Sequence, residues 1–316
     1  MQNLHWLGLR LVLLVIFRCL LPLAARLPRR WGVKVSAVVG WACYHLDLDW
    51  RTLGLREHFL IARTRSAINE IEPALSDSAV NAIVLERFKT ASREELEGHW
   101  LGLQRWGSCR CDFEGLQSIQ DQLTGGQGLV LLTMHFDAAL VGVAQLGLAG
   151  CVLNLMTSNV VEDHRVPVCV QRYFSQKYAG IQIALNGGKV MHVENKLRHF
   201  YEALKRGEGV VILGEAPTGR IADAKIINFL GKRRAIAPGA FRMAEKTGSA
   251  MAAFVCLRSD CGDYKVIFTP VFAAHALKGH SENTDRLFSF LSERIKQYPG
   301  RWWAADQLPN FFNVDN

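Results

Sequence analysis

The first 34 residues contain no aspartate or glutamate. They do contain Arg10, Arg18, Arg26, Arg29, Arg30 and Lys34, which supply six of the eight net positive charges of the 316-residue chain. The rest is nearly balanced, so the excess belongs to the N-terminus and not to a basic folded surface. A nucleic-acid binder spreads its cations over the body, interleaved with aromatics, and the distribution here argues against nucleic acid as a partner. No G-x-S-x-G segment occurs, which argues against a hydrolase built on a nucleophile elbow. The eight cysteines form no Cys/His group at metal-binding spacing, and Cys109 and Cys111 stand as C-x-C without a second pair. No metal is expected, and the thiols, mostly in apolar surroundings, are expected to stay reduced. Repeats and low-complexity tracts are missing too. At 49% apolar and 21% charged residues, the composition is that of a folded chain.

Nor is there an unbroken apolar run of about 20 residues, the length a spanning helix needs. Leu11–Phe17 and Cys19–Ala25 are apolar, but Arg18 separates them and Pro22 falls within the second. Besides a plain buried core helix, two membrane placements are open. One is a weak span with Arg10 and Arg26 snorkelling at its ends; the other is a helix lying in the interface, arginines towards lipid phosphates. Basic residues after the apolar run favour a body on the cytoplasmic side. No small-residue cleavage site precedes the basic stretch at 27–30, so a removed signal peptide is not expected. The expected division is a membrane-anchoring or interfacial segment at 1–34 and one folded domain at 35–316.

Within that domain two periods alternate. Residues 51–106 carry apolar positions three and four apart and read as helices, broken near Pro73, with Ser76 or Ser78 as a cap. From Leu129 the pattern changes to short continuous apolar runs. The run LVLLTMHF starting at Leu129 and residues 151–157 and 209–213 read as buried strands, 251–258 and 264–272 as further strands, 189–193 as a short strand or loop, and 228–231 as an edge strand. Helical stretches follow 138 and cover 162–180, 199–207, 238–247 and 284–297. This alternation predicts an α/β fold with a mainly parallel central sheet flanked by helices.

In open α/β sheets, polar residues just past the strand ends line the site. His135 directly follows the first buried strand, and Asp137 stands two residues on. A histidine there can remove a proton from an attacking hydroxyl, and a carboxylate can orient it. The plainer alternative is a histidine at a helix start, with Asp137 favouring the positive end of the dipole. The segment after residue 213 offers Glu215, Thr218 and Arg220, whose guanidinium suits a phosphate. By itself that segment reads as an ordinary Pro-Gly turn. His280 and Asp285 have four residues between them, but no buried strand precedes them, and Asn283 or Thr284 reads as a helix cap.

The order of these pieces from about 105 to 306 resembles the bacterial lipid A biosynthesis acyltransferases, within the glycerolphosphate acyltransferase superfamily. The resemblance runs through FEGLQSIQDQLTGGQGLVLLTMHFDAA, HRVPVCVQRYF, RHFYEALKRGEGVVILGEAPTGR, NFLGKRRAIAPGAFRMAEKTGSAMAAFVCLR and the closing YPGRWW. It implies transfer of an acyl group to a hydroxyl or amine of a lipid or amphiphilic acceptor at the cytoplasmic face of the bacterial inner membrane. The donor it implies is an acyl carrier protein or coenzyme A thioester, a co-substrate with no further cofactor. His135 is implied as general base in direct attack, with Arg165, Thr218, Arg220, Lys232 and Arg233 as substrate-binding residues. The family carries Asp or Glu five positions after its histidine; here that position is Leu140. Three readings follow: Asp137 substitutes, Glu215 reaches in from an adjacent strand end, or the chain is a non-catalytic acyl- or lipid-binding homologue.

Overall fold

Every residue of Leu129–Thr133 is buried. A strand flanked by protein on both faces must be apolar at every position, and this one is central to the sheet. The computed structural model describes residues 2–54, 59–105, 109–215, 224–259, 262–277 and 282–314. Its strands are β1 (Cys111–Glu114), β2 (Leu129–Thr133), β3 (Leu153–Thr157), β4 (Val190–His192), β5 (Gly209–Leu213), β6 (Lys225–Phe229), β7 (Lys232–Ile236), β8 (Ala250–Arg258), β9 (Tyr264–Phe268) and β10 (Phe312–Asn313). Seven form one sheet in the order β1-β9-β8-β2-β5-β3-β4. All neighbours are parallel except β8 and β9, whose antiparallel pairing reverses the β1–β9 edge. The fold is α/β with a mainly parallel central sheet.

Alternate residues of β2 enter two cores. Val130 and Leu132 face one, with Phe200, Met243, Leu287 and Leu291 from helices. Leu129 and Leu131 face the other, with Val143, Leu146, Ile181 and Ala184. That two-sided burial is the three-layer arrangement that the alternating periods predict. The helix Asp77–Gly102 begins at Ser76, whose hydroxyl accepts from the Ala79 amide at 3.4 Å. It packs on the helix Val168–Ala184 through glycines: a Cβ on Gly98 would strike Tyr173, and one on Gly180 would strike the Leu101 carbonyl.

Residues 228 and 229 end β6, an edge strand as expected, here one arm of the hairpin β6–β7, which is closed by Leu230 and Gly231 at φ +52° and +81°. Two left-handed residues give the turn whose twist matches the flanking strands. With β10 the hairpin makes a separate three-stranded sheet. The helix expected at 199–207 runs over Val193–Lys205. The helix expected from 162 starts only at Val168, because Pro167 fixes the residue before it outside the helix.

The N-terminal segment is helical over Gln2–Val15 and Leu21–Arg26, joined by a π turn at Ile16–Leu20. Pro22 has no amide for the Arg18 carbonyl, and the wider turn just before it relieves the crowding. One face of this helix packs against the body. Leu13, Ile16, Phe17 and Leu21 share a third core with Leu96, Trp100, Val170 and Tyr173. Leu7, Leu11, Leu14 and Leu23 remain exposed.

Candidate active site

Strand register sets the geometry. Strands β2 and β5 are parallel neighbours with Thr133 opposite Leu213. His135 and Glu215 each lie two residues beyond that pair, so they leave the sheet at one level. The Gly214 amide donates to the Thr133 carbonyl at 2.7 Å and carries the pairing past the strand ends. There the Glu215 carboxylate, only 3% exposed, lies 2.9 Å from His135 Nδ1. It also accepts the His135 amide at 2.8 and 2.9 Å and the Trp302 indole N–H at 2.6 Å. A carboxylate can only accept, so Nδ1 carries the proton and Nε2 is left with a lone pair.

Three donors fix the carboxylate, and the backbone fixes the ring's base: the Trp303 amide donates to the His135 carbonyl at 2.9 Å. The Trp303 indole lies 4.9 Å from the imidazole. Burial lowers the His135 pKa, but the charge and hydrogen bond of Glu215, with help from Glu94, outweigh it and raise it above the usual 6.5. Among the described residues nothing bonds Nε2. The ring is 30% exposed and opens on a cavity of about 320 Å³. Its walls include Leu140, Tyr173, Phe174, Tyr178 and Trp303, and it also meets Glu94, Glu95 and Lys177. A largely apolar cavity with a few converging polar groups and a poised base suits proton removal from an acceptor held beside an apolar chain.

Residues 102–307 match the family model described as "Bacterial lipid A biosynthesis acyltransferase". The chain belongs to this family. It is an acyltransferase of lipid biosynthesis. No curated protein sequence matches it. The crystal structure of the 1-acyl-sn-glycerophosphate (LPA) acyltransferase PlsC from Thermotoga maritima is similar at 13% identity and a TM-score of 0.37, over 85% of this chain and 99% of that one. At that score the likeness carries no argument.

In this acyltransferase Leu140 is a cavity wall, and the carboxylate that meets the histidine comes from the neighbouring strand as Glu215. The reading in which Asp137 orients His135 does not fit the geometry. Asp137 is buried and bound to Arg258 (Nε to Oδ1, 3.0 Å) and Arg301 (Nη1 to Oδ2, 2.9 Å), and it accepts the Arg258 amide at 3.0 Å. Its φ of +52° turns the chain into the helix Ala139–Leu148, a conformation that Asp and Asn adopt more readily than most residues. Asp137→Asn keeps that backbone and removes the charge from two arginines. We expect a loss of about 3 kcal/mol in stability, as for a broken buried pair, with kcat of the folded fraction within several-fold of wild type. Denaturant unfolding and a kinetic assay on the same sample check this.

Of the expected substrate-binding residues, Arg165 is exposed and paired with Asp163 at 2.6 Å. Lys232 lies on β7 and pairs with Glu70 at 2.8 Å, and Arg233 follows it on the same strand. None of the three lines the cavity of His135. Thr218 and Arg220 lie outside the described residues, as does His280. Sequence reasoning missed Glu94 and Lys177, which pair at 2.9 Å across two helices and border the cavity. It also missed Glu95, whose pKa burial, Asp49 and Glu94 push well above the usual value. These acids stand in a run of charged helical positions that reads as solvated surface. Trp302 had a cue in the closing YPGRWW, but its partner lies 87 residues away. Among the described residues, no three His, Cys, Asp or Glu side chains group to hold a metal.

Proposed function

We propose that this enzyme transfers a fatty acyl group from an acyl carrier protein or coenzyme A thioester to a hydroxyl or amine of a membrane lipid or amphiphile, with His135 as general base. The observation that carries the reading is the register-matched pair: Glu215 holds Nδ1–H of a histidine that lines the cavity. An acceptor hydroxyl gives its proton to Nε2 as its oxygen attacks the thioester carbonyl carbon. The tetrahedral oxyanion collapses, the C–S bond breaks, and the departing thiolate takes the proton from the imidazolium. No acyl-enzyme and no cofactor enter this sequence. Thr218 and Arg220, close after Glu215 in the chain, are assigned to a phosphate of donor or acceptor by their chemistry.

The proposed location of the reaction is the cytoplasmic face of the inner membrane. Among the described residues one helix, Trp6–Arg26, is long and apolar enough to cross a membrane. One face of it packs on the protein while Leu7, Leu11 and Leu14 are exposed, and Trp31 and Trp41 are exposed on the next helix, Arg29–His45. That pattern suits a helix lying in the leaflet interface.

The test is transfer of labelled acyl chain from both donors into a lipid extract, with wild type and His135→Ala compared. Loss of about 10³-fold or more in kcat/KM, with thermal unfolding within a few degrees of wild type, is expected. A variant that retains transfer within several-fold would remove His135 from the chemistry. For attachment, Leu11→Glu with Leu14→Glu should abolish flotation with anionic vesicles. Unchanged flotation would refute the leucine face as the anchor.

A further inference from the structure

A second cavity, of about 380 Å³, lies behind Tyr173, whose ring walls both this space and the cavity of His135. Arg18 and Arg26 border it from the N-terminal helix, and Arg172 from the helix Val168–Ala184. No aspartate or glutamate is among its described walls. Arg18 and Arg172 make no hydrogen bond or ion pair among the described residues, and Arg26 gives one N–H to the Pro22 carbonyl at 2.9 Å. His99, 7% exposed, forms another wall, and its Nε2 has no hydrogen-bond partner. Burial, with Arg26 and Lys177 nearby, pushes its pKa down to about 4, so it stays neutral.

Three guanidiniums around one cavity without a carboxylate repel one another unless an anion joins them. Guanidinium forks match phosphate oxygens two at a time. The surroundings say what carries the phosphate. Leu7, Leu11 and Leu14 are exposed at helical spacing on the segment that leads to Arg18, an apolar track ending at a cationic pocket. Arg18 interrupts an otherwise apolar helix, which is costly in lipid unless the charge meets a headgroup.

We propose that this cavity binds the phosphate headgroup of an anionic lipid, at a site separate from the catalytic cavity. Neither the location nor the ligand depends on His135 chemistry.

The experiment measures binding of soluble dihexanoyl phosphatidic acid, dihexanoyl phosphatidylcholine and inorganic phosphate to the full chain. The proteins are wild type, Arg18→Gln/Arg172→Gln, and a control, Arg30→Gln/Lys34→Gln, whose residues do not line the cavity. Phosphatidic acid should bind wild type and the control alike. The first variant should bind it about 10-fold or more weakly, having lost two charge-assisted contacts. Both replaced arginines are exposed, so the thermal midpoint should not move. Equal weakening in the control would show diffuse attraction and overturn the site. Unchanged affinity in the first variant would overturn it as well. Inorganic phosphate binding as tightly as phosphatidic acid would overturn the lipid assignment.

Discussion

Glu215→Gln should lower kcat/KM by about 10³-fold and move the acid limb of the pH–rate profile to lower pH. The sign follows from the environment. A general base works as neutral imidazole, so activity rises with pH through the pKa of His135, which Glu215 holds above 6.5. Without that carboxylate, burial and Lys177 still disfavour the imidazolium, so the midpoint falls. The rate falls nonetheless, because an amide cannot accept three donors from His135 and Trp302 as the carboxylate does. The ring then loses its fixed tautomer. A pH–rate series for both enzymes tests this. An unmoved acid limb would mean that Glu215 does not act through His135.

The largest expected effect on stability is at Asp306. It is fully buried in the C-terminal segment, with Arg87 Nη2 at 2.9 Å and Arg51 Nη2 at 3.1 Å from its Oδ1. Asp49 shares both arginines, at 3.0 and 3.4 Å. The four side chains tie the helix Trp50–Gly54, the helix Asp77–Gly102 and the C-terminal segment together beneath Trp303, whose ring lies 4.4 Å from the Arg51 guanidinium carbon. Asp306→Asn leaves two buried cations facing one carboxylate. A loss of about 3–5 kcal/mol is expected, or about 10 °C in thermal midpoint.

The pH dependence has a definite sign. Burial alone would raise the pKa of Asp306, but Arg51 and Arg87 hold it well below the usual carboxylate range. A depressed folded pKa gives stability that is present above the unfolded value and lost as pH falls through the folded one. Wild type should therefore exceed Asp306→Asn at neutral pH, with the gap shrinking only below about pH 4. Thermal melts across pH 2–7 check this. Glu282→Gln, which breaks an exposed pair with Arg286, should leave the midpoint unchanged.

Both halves of the proposed catalytic pair are legible in the sequence as polar residues after apolar runs. Their meeting is not, because it depends on strand order: β2 and β5 are neighbours although β3 and β4 intervene in the chain. That is why Asp137, nearer in sequence, competes with Glu215 until the topology is seen. Leu140 is visible as a missing acid, yet only the fold shows which carboxylate meets His135. In the hairpin 225–236 adjacent basic residues fare differently. Lys232 and Arg233 are exposed, whereas Arg234, 2% exposed, is bonded to Glu70 and the Phe229 carbonyl. Charge alone does not distinguish a solvated arginine from one buried in a network. Arg18 likewise reads as a flaw in an apolar helix and is in place a cavity wall.

The central claim is that His135 and Glu215 act as one unit. The most direct measurement is kcat/KM for His135→Ala, Glu215→Gln and the double variant with the same acyl donor. If Glu215 works only through His135, the double variant falls no further than His135→Ala. If the two losses multiply, Glu215 has a role that does not pass through the histidine, and the account is contradicted.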